Sequence, residues 1–405
     1  MNHYKAFLML VAFMTYMIMA GLLTQIGIVI RPISESLNVS LTESAAMFSY
    51  LTGGTLIGTV ISMFVYGKFK IKTTLRVVYS IFVITTVALT IFNFRMHEIV
   101  STFLVVLGVS CGVGLSGGAV IISMIFEEDK RASAFIATDC AFSASGFIFP
   151  MLATVIISAN LEWTYCFYGS AILATLIVIS TFTINYPENK SNHSDANKKK
   201  MVGISEFRKI ITPRVMLMGF SLCIYLFAQN VFLTWGPSYM TEIFGISPEQ
   251  SGRVVSNYWG PSVLGLIAAS FLVNKIPARK MLLSVVFIAI ILTTYLGMTH
   301  DTSKFLFVTL ALGFMTSCIY KLGISVGSQQ ITSSPAVLVT FLLTCGTVGS
   351  SIAPVLSAYI VGKFGLKSAM NTTTISLISV FLCIALCLIL EQRSLNKKSL
   401  RRTYD

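Results

Sequence analysis

Apolar residues run through this chain in long unbroken blocks, not at the spacing of one helix face or in the alternation of a strand. There are twelve such blocks, nearly free of charge, and one basic polar stretch at 185–213 separates the first six from the last six. A block of about 20 apolar residues makes about 30 Å of helix, the thickness of a bilayer's hydrocarbon core. Backbone amides in lipid find no water, so each block must be helical.

The blocks fall at 6–30, 43–66, 74–92, 99–125, 132–157 and 164–184. After the polar stretch they resume at 215–235, 251–273, 281–298, 305–326, 337–361 and 368–390. The predicted fold is all-α and integral to the membrane, with twelve transmembrane helices in two six-helix halves. The halves span 1–184 and 214–391, 185–213 is a cytoplasmic linker whose stretch 185–200 reads as a flexible connector, and 392–405 is a cytoplasmic tail. The opening residues run straight into a block longer than a signal peptide's apolar core, which reads as a retained first helix. Prolines 150, 237, 261 and 354 fall within or beside the blocks, where they are expected to bend or end helices.

Composition agrees. Only 11% of the 405 residues are charged and 55% are hydrophobic, where a soluble domain carries roughly a quarter charged residues. Mean hydropathy is +0.81. With the N-terminus inside, 22 of the 29 Lys and Arg fall on the cytoplasmic side and five on the other, while Arg253 and Lys321 lie within spans. That asymmetry places both termini in the cytoplasm. It also accounts for the net charge of +13 without nucleic acid as a partner. The expected partners are a small-molecule substrate and the lipid bilayer, with the chain acting as a monomer.

Candidate chemistry is sparse. All eight cysteines lie in apolar spans with no CxxC, which reads as small buried hydrophobes. The four histidines lie in termini or loops, so neither a metal site nor a histidine relay is expected inside the membrane. No Walker A sequence and no Ser–His or His–Asp pair for an embedded hydrolase is visible. The expectation is a non-enzyme with no cofactor and a proton gradient as its energy source.

An internal repeat supports two halves. Gly53, Gly58 and Lys68 recur as Gly260, Gly265 and Lys275, a constant offset of 207 residues. Two six-helix halves joined by a charged loop is the layout of the major facilitator transporters. Their usual Gly-x-x-x-Asp-Arg-x-Gly-Arg-type loop between helices two and three is GKFKIKTTLR here, without the aspartate and the second glycine. Topology and repeat therefore carry that reading, not the loop.

The stretches TDCAFSASGFIFP (138–150), FAQNVFLTWGPSY (227–239), VSNYWG (255–260), GSQQ (327–330) and LLTCGTVG (342–349) resemble the TsgA family of bacterial inner-membrane major facilitator proteins. The resemblance runs from span one to span twelve. It implies a twelve-helix inner-membrane transporter, distantly similar to sugar–proton symporters, with no settled substrate.

Asp139 is the only acidic residue well inside a span. A carboxylate there is costly unless it faces protein, water or a cation. It is a candidate proton-coupling or gating group, or a structural carboxylate bonded to neighbouring helices. Lys321 lies at similar depth in span ten and could pair with Asp139, contact an anionic substrate, or snorkel to the surface. Arg253, near the outer end of span eight, reads as a rim residue. Gln25, Gln229, Asn230 and Asn257 are polar at membrane depth, suited either to a hydroxylated or amide-bearing solute or to bonds between helices. Together these residues point to a secondary active transporter of a small polar solute working by alternating access, with proton symport favoured. An efflux antiporter of toxic solutes is the alternative, although span five lacks a Gly-Pro-x-x-Gly-Gly-like run. A membrane sensor or assembly protein that transports nothing is a third reading.

Overall fold

The computed structural model describes residues 3–92, 96–126, 128–186, 212–273, 275–331 and 336–404. Most of the expected linker lies outside the described residues. The first part holds α1 (His3–Leu23), α2 (Ile26–Leu37), α3 (Leu41–Lys68), α4 (Ile71–Ile91), α5 (His97–Ile125), α6 (Glu128–Ser158) and α7 (Tyr168–Thr183). The second holds α8 (Pro213–Phe244), the short α9 (Pro248–Ser251), α10 (Arg253–Leu272), α11 (Ala278–Met298), α12 (Thr302–Thr316), α13 (Ile319–Ser328), α14 (Ala336–Phe364) and α15 (Lys367–Tyr404).

Among the described residues, eleven helical stretches are long and apolar enough to cross a membrane. The remaining predicted crossing is α10, long enough at 20 residues but more polar. Two of its serines turn into the protein. Ser256 Oγ donates to the Phe147 carbonyl and Ser262 Oγ to the Gly313 carbonyl. Outward faces are apolar instead: Phe64, Ile91, Phe271 and Phe307 are all at least two-thirds exposed, as lipid-facing side chains are.

Helix ends follow local chemistry. Ser40 and Glu43 form a reciprocal capping box at the start of α3. Thr212 caps α8 ahead of Pro213, and Asp301 accepts from the amides of Ser303 and Lys304 to start α12. Gly245 and Gly365 close α8 and α14 at φ +67° and +78°, in the left-handed region that favours glycine.

Two spans expected as single helices are broken. Span one is not one helix: it breaks at Thr24–Gln25, between α1 and α2. Span ten breaks at Ser317–Cys318, between α12 and α13. Of the prolines expected to bend or end helices none ends one: Pro150 lies inside α6, Pro237 inside α8, Pro261 inside α10 and Pro354 inside α14. Segment 392–404, expected as a tail, is helical and continuous with α15.

Close packing relies on glycine. A methyl at Gly313 would lie 1.9 Å from the Tyr258 carbonyl oxygen, and one at Gly265 2.2 Å from that of Phe314, so α10 and α12 touch backbone to backbone. Between the first and second sets of helices, α3 packs on α14 and α6 on α10. At one end Arg31 Nη2 meets Glu242 Oε1 at 2.7 Å, joining α2 to α8. This pair is a third to nearly half exposed, so Glu242→Gln should lower stability by no more than about 1 kcal/mol, measured as thermal unfolding in detergent. At the opposite end each set is tied internally. Arg279 grips Glu391 with two hydrogen bonds of 2.9 and 2.6 Å, and Gln330 joins at 3.4 Å. Arg76 bonds the Thr181 hydroxyl and carbonyl at 3.0 and 2.9 Å and lies over the Phe182 ring.

Candidate functional site

A cavity of about 310 Å³ lies between the two sets of helices. Asp139, on its wall, is within about 6 Å of the midpoint of α6 by helical rise. Both helix breaks border the cavity, at Thr24 and at Ser317. On one side stand Tyr16 of α1 and Asp139, Phe142 and Ser143 of α6. Facing them are Tyr225, Gln229 and Asn230 of α8, Trp259 of α10, Tyr320 and Lys321 of α13, and Ser350 of α14.

The two charged candidates meet. Lys321 Nζ and Asp139 Oδ2 are 2.7 Å apart, linking α13 to α6 across the cavity wall. The lysine side chain keeps 48% of its exposure and the carboxylate 23%, so both can be reached from the cavity. Snorkelling to the surface is not how Lys321 is satisfied here. Arg253 is exposed at the start of α10, a rim position.

The polar amides divide. Gln229 Nε2 donates to the Tyr258 hydroxyl at 2.9 Å. Asn230 Nδ2 donates to the Leu226 carbonyl at 2.7 Å and the Ser350 hydroxyl at 3.2 Å. Because a carbonyl can only accept, the Asn230 amine is fixed toward Leu226 and its oxygen is left over. Gln25 is fully buried and does not line the cavity. Its side-chain amine donates to the Gly21 carbonyl, one of the groups freed where α1 stops, so Gln25 repairs the break it sits in. Asn257 donates to the Leu306 carbonyl at 3.4 Å, a bond between α10 and α12 away from the cavity.

Other cavity residues were not singled out in the sequence. Trp259 packs edge-on to Phe142 with ring centroids 5.4 Å apart, and its face covers Gly146. Its indole N–H is buried without an acceptor, a state most buried donors avoid. Tyr225 donates to the Thr316 carbonyl and Tyr320 to that of Leu343, so their rings wall the cavity while their hydroxyls are spent elsewhere. Tyrosine within an apolar span was the available signal, since its hydroxyl needs a partner when buried.

The comparisons with known proteins agree with this architecture. The family profile described as "Major Facilitator Superfamily" matches residues 6–339 and 237–403. The chain is 28% identical over 365 residues to "Protein TsgA homolog" of Buchnera aphidicola subsp. Baizongia pistaciae (strain Bp), covering 90% of this chain and 91% of that one. It is 28% identical over 389 residues to the protein of that name from Yersinia pestis, with coverage of 95% and 96%. The resemblance to the TsgA family noted in the sequence is borne out by these relatives. Among solved structures, a D-xylose-proton symporter superposes with a TM-score of 0.77 at 12% identity, covering 94% of this chain and 97% of that one. The nucleoside transporter NupG gives 0.72 at 15% identity, covering 95% and 99%. At these identities the likeness shows the fold.

Proposed function

The chain belongs to the Major Facilitator Superfamily, and from that membership we propose that it carries a small hydroxylated ring solute across the membrane, coupled to protons. The observation that carries the reading is the Asp139–Lys321 pair, set between the two halves and open to the cavity. Protonating Asp139 would remove the partner of a lysine on the opposite half, so a proton and the contact between halves are tied to one carboxylate. Secondary transporters of this kind bind near the midplane and rock around the bound solute.

The cavity's chemistry supports the solute class. Its volume is at the small end of the ~300–1,000 Å³ range for small-molecule sites, which suits a monosaccharide or nucleoside better than a peptide. The amide oxygens of Gln229 and Asn230 can accept from hydroxyls. Aromatic rings offer flat apolar faces for the solute ring. The solved neighbours include proteins named as carriers of xylose and of nucleosides, in keeping with this class.

The test is flux. Purified protein in sealed proteoliposomes, given an inward proton gradient, should accumulate at least one of a panel of monosaccharides and nucleosides. Flux of none of them, with organic acids or toxic oxyanions exported instead, would favour the antiporter reading.

Orientation belongs to the same proposal: a bacterial inner membrane with both termini cytoplasmic, from the distribution of Lys and Arg. An impermeant thiol reagent applied to intact cells should label Ser303→Cys and leave Ser194→Cys untouched. The opposite pattern would invert the scheme.

A further inference from the structure

Next to the main cavity, inside the second half, the Tyr225, Gln229, Tyr258 and Thr316 side chains surround a smaller one of about 20 Å³. Four short contacts run through this group. Gln229 Nε2 is 2.9 Å from the Tyr258 hydroxyl, and that hydroxyl is 2.6 Å from the Thr316 hydroxyl. The Thr316 hydroxyl is 2.7 Å from the Leu312 carbonyl, and the Tyr225 hydroxyl is 2.7 Å from the Thr316 carbonyl. Tyr225, Tyr258 and Thr316 are each no more than 3% exposed, and a water in the small cavity could bond these groups but could not put a hydrogen into a direct contact between two of their atoms.

Each contact needs one hydrogen. The three hydroxyls hold three between them, and the two carbonyls hold none. Tyr225 spends its hydrogen on the Thr316 carbonyl and Thr316 spends its own on the Leu312 carbonyl. Tyr258 must then donate to Thr316, because two hydroxyl oxygens at 2.6 Å with no hydrogen between them repel. The fourth hydrogen can come only from the amide of Gln229, so its amine points at Tyr258 and its oxygen is left to the main cavity, which Gln229 also lines.

We infer that Tyr258 is a positioning residue for specificity: held as an acceptor by Thr316, it forces Gln229 to present a carbonyl oxygen, so that the site selects solutes with a hydrogen-bond donor there. Tyr258 does not line the main cavity and acts only through Gln229. The inference rests on the proposed solute site, and its tests separate the two.

The experiment is proteoliposome uptake of each carried monosaccharide or nucleoside beside its monodeoxyfluoro analogues, in which fluorine keeps the bulk of the hydroxyl but cannot donate. Wild type should prefer hydroxyl over fluorine at one ring position by about tenfold or more in the apparent affinity term. Tyr258→Phe removes the acceptor, frees the amide to turn, and should bring that preference to within about twofold while maximal rate is largely kept. Thr316→Val, also away from the main cavity, should weaken it in the same direction. An unchanged preference in Tyr258→Phe overturns the inference, as does an equal loss of uptake for every analogue. If wild type carries no panel solute, the solute reading fails and the hydrogen count is read without one, from Gln229→Glu. A protonated Glu side chain supplies the fourth hydrogen and a carboxylate does not, so this variant's unfolding midpoint should fall between about pH 5 and about pH 8. Adding Tyr258→Phe should remove the fall; a fall that persists, or none in the single variant, overturns the inference.

Discussion

Asp139→Asn should abolish uphill uptake while leaving a folded protein that still exchanges solute across a membrane at equal pH. A gradient of one pH unit is worth about 1.4 kcal/mol, so a one-proton symporter accumulates its solute about tenfold across it. Wild type should approach that ratio and Asp139→Asn should stop at equal concentrations, because asparagine keeps the shape and loses the exchangeable proton. Stability adds a second readout. Removing one member of a fully buried pair costs about 3–5 kcal/mol, but Lys321 and Asp139 keep 48% and 23% of their exposure, so the cost here should be well below that range. Lys321→Met placed on top of Asp139→Asn should recover what the single change lost, since no unpartnered charge then remains. Accumulation by Asp139→Asn at the wild-type level would end the proton role. Additive stability losses in the double variant would show that the two residues do not support each other.

The largest loss of folded protein is expected from a single methyl group. Gly313→Ala places a carbon 1.9 Å from the Tyr258 carbonyl oxygen and 2.8 Å from its Cα, both backbone atoms that cannot swing aside. Helices α10 and α12 must separate, and Ser262's bond to the Gly313 carbonyl goes with them. Overpacking of this kind costs about 1–3 kcal/mol, and more when backbone has to move. Gly53→Ala is the control, because nothing lies within 4 Å of a methyl there. Thermal unfolding and yield in detergent should place Gly53→Ala beside wild type and Gly313→Ala far below it. Similar midpoints for the two would mean that the α10–α12 contact is looser than its geometry.

The crossings were legible because lipid leaves a long apolar run one option, and the run's length is set by the bilayer. Depth was legible for the same reason: counting residues from a span's end put Asp139 and Lys321 at one level, and they meet at 2.7 Å. The breaks were not legible. Thr24–Gln25 and Ser317–Cys318 hold neither glycine nor proline, while four prolines sit inside helices that continue past them. Freed carbonyls can be met by side chains, as Gln25 does for Gly21, so the cost of a break depends on groups that local propensity does not show. Residue type at membrane depth also says nothing about direction. Gln229 and Asn230 reach the cavity, whereas Gln25 and Asn257 turn to carbonyls within the protein. Trp259 was hidden in the opposite way, as one aromatic among the 29 Phe, 15 Tyr and 3 Trp of an apolar chain.

The two arginine ties at the basic end have a mechanical meaning. Arg279 with Glu391 binds α11 to α15, and Arg76 with Thr181 binds α4 to α7, each clamp within its own half and about 15 Å from mid-membrane. A body clamped at its far end turns as a lever rather than bending as separate rods. Over an arm of about 15 Å each degree of rotation moves the rim by about 0.26 Å, so roughly ten degrees opens about the width of a water molecule. On the proposed rocking of the halves, the aperture would follow the angle between them, and loosening either clamp would let that angle change without the rim following.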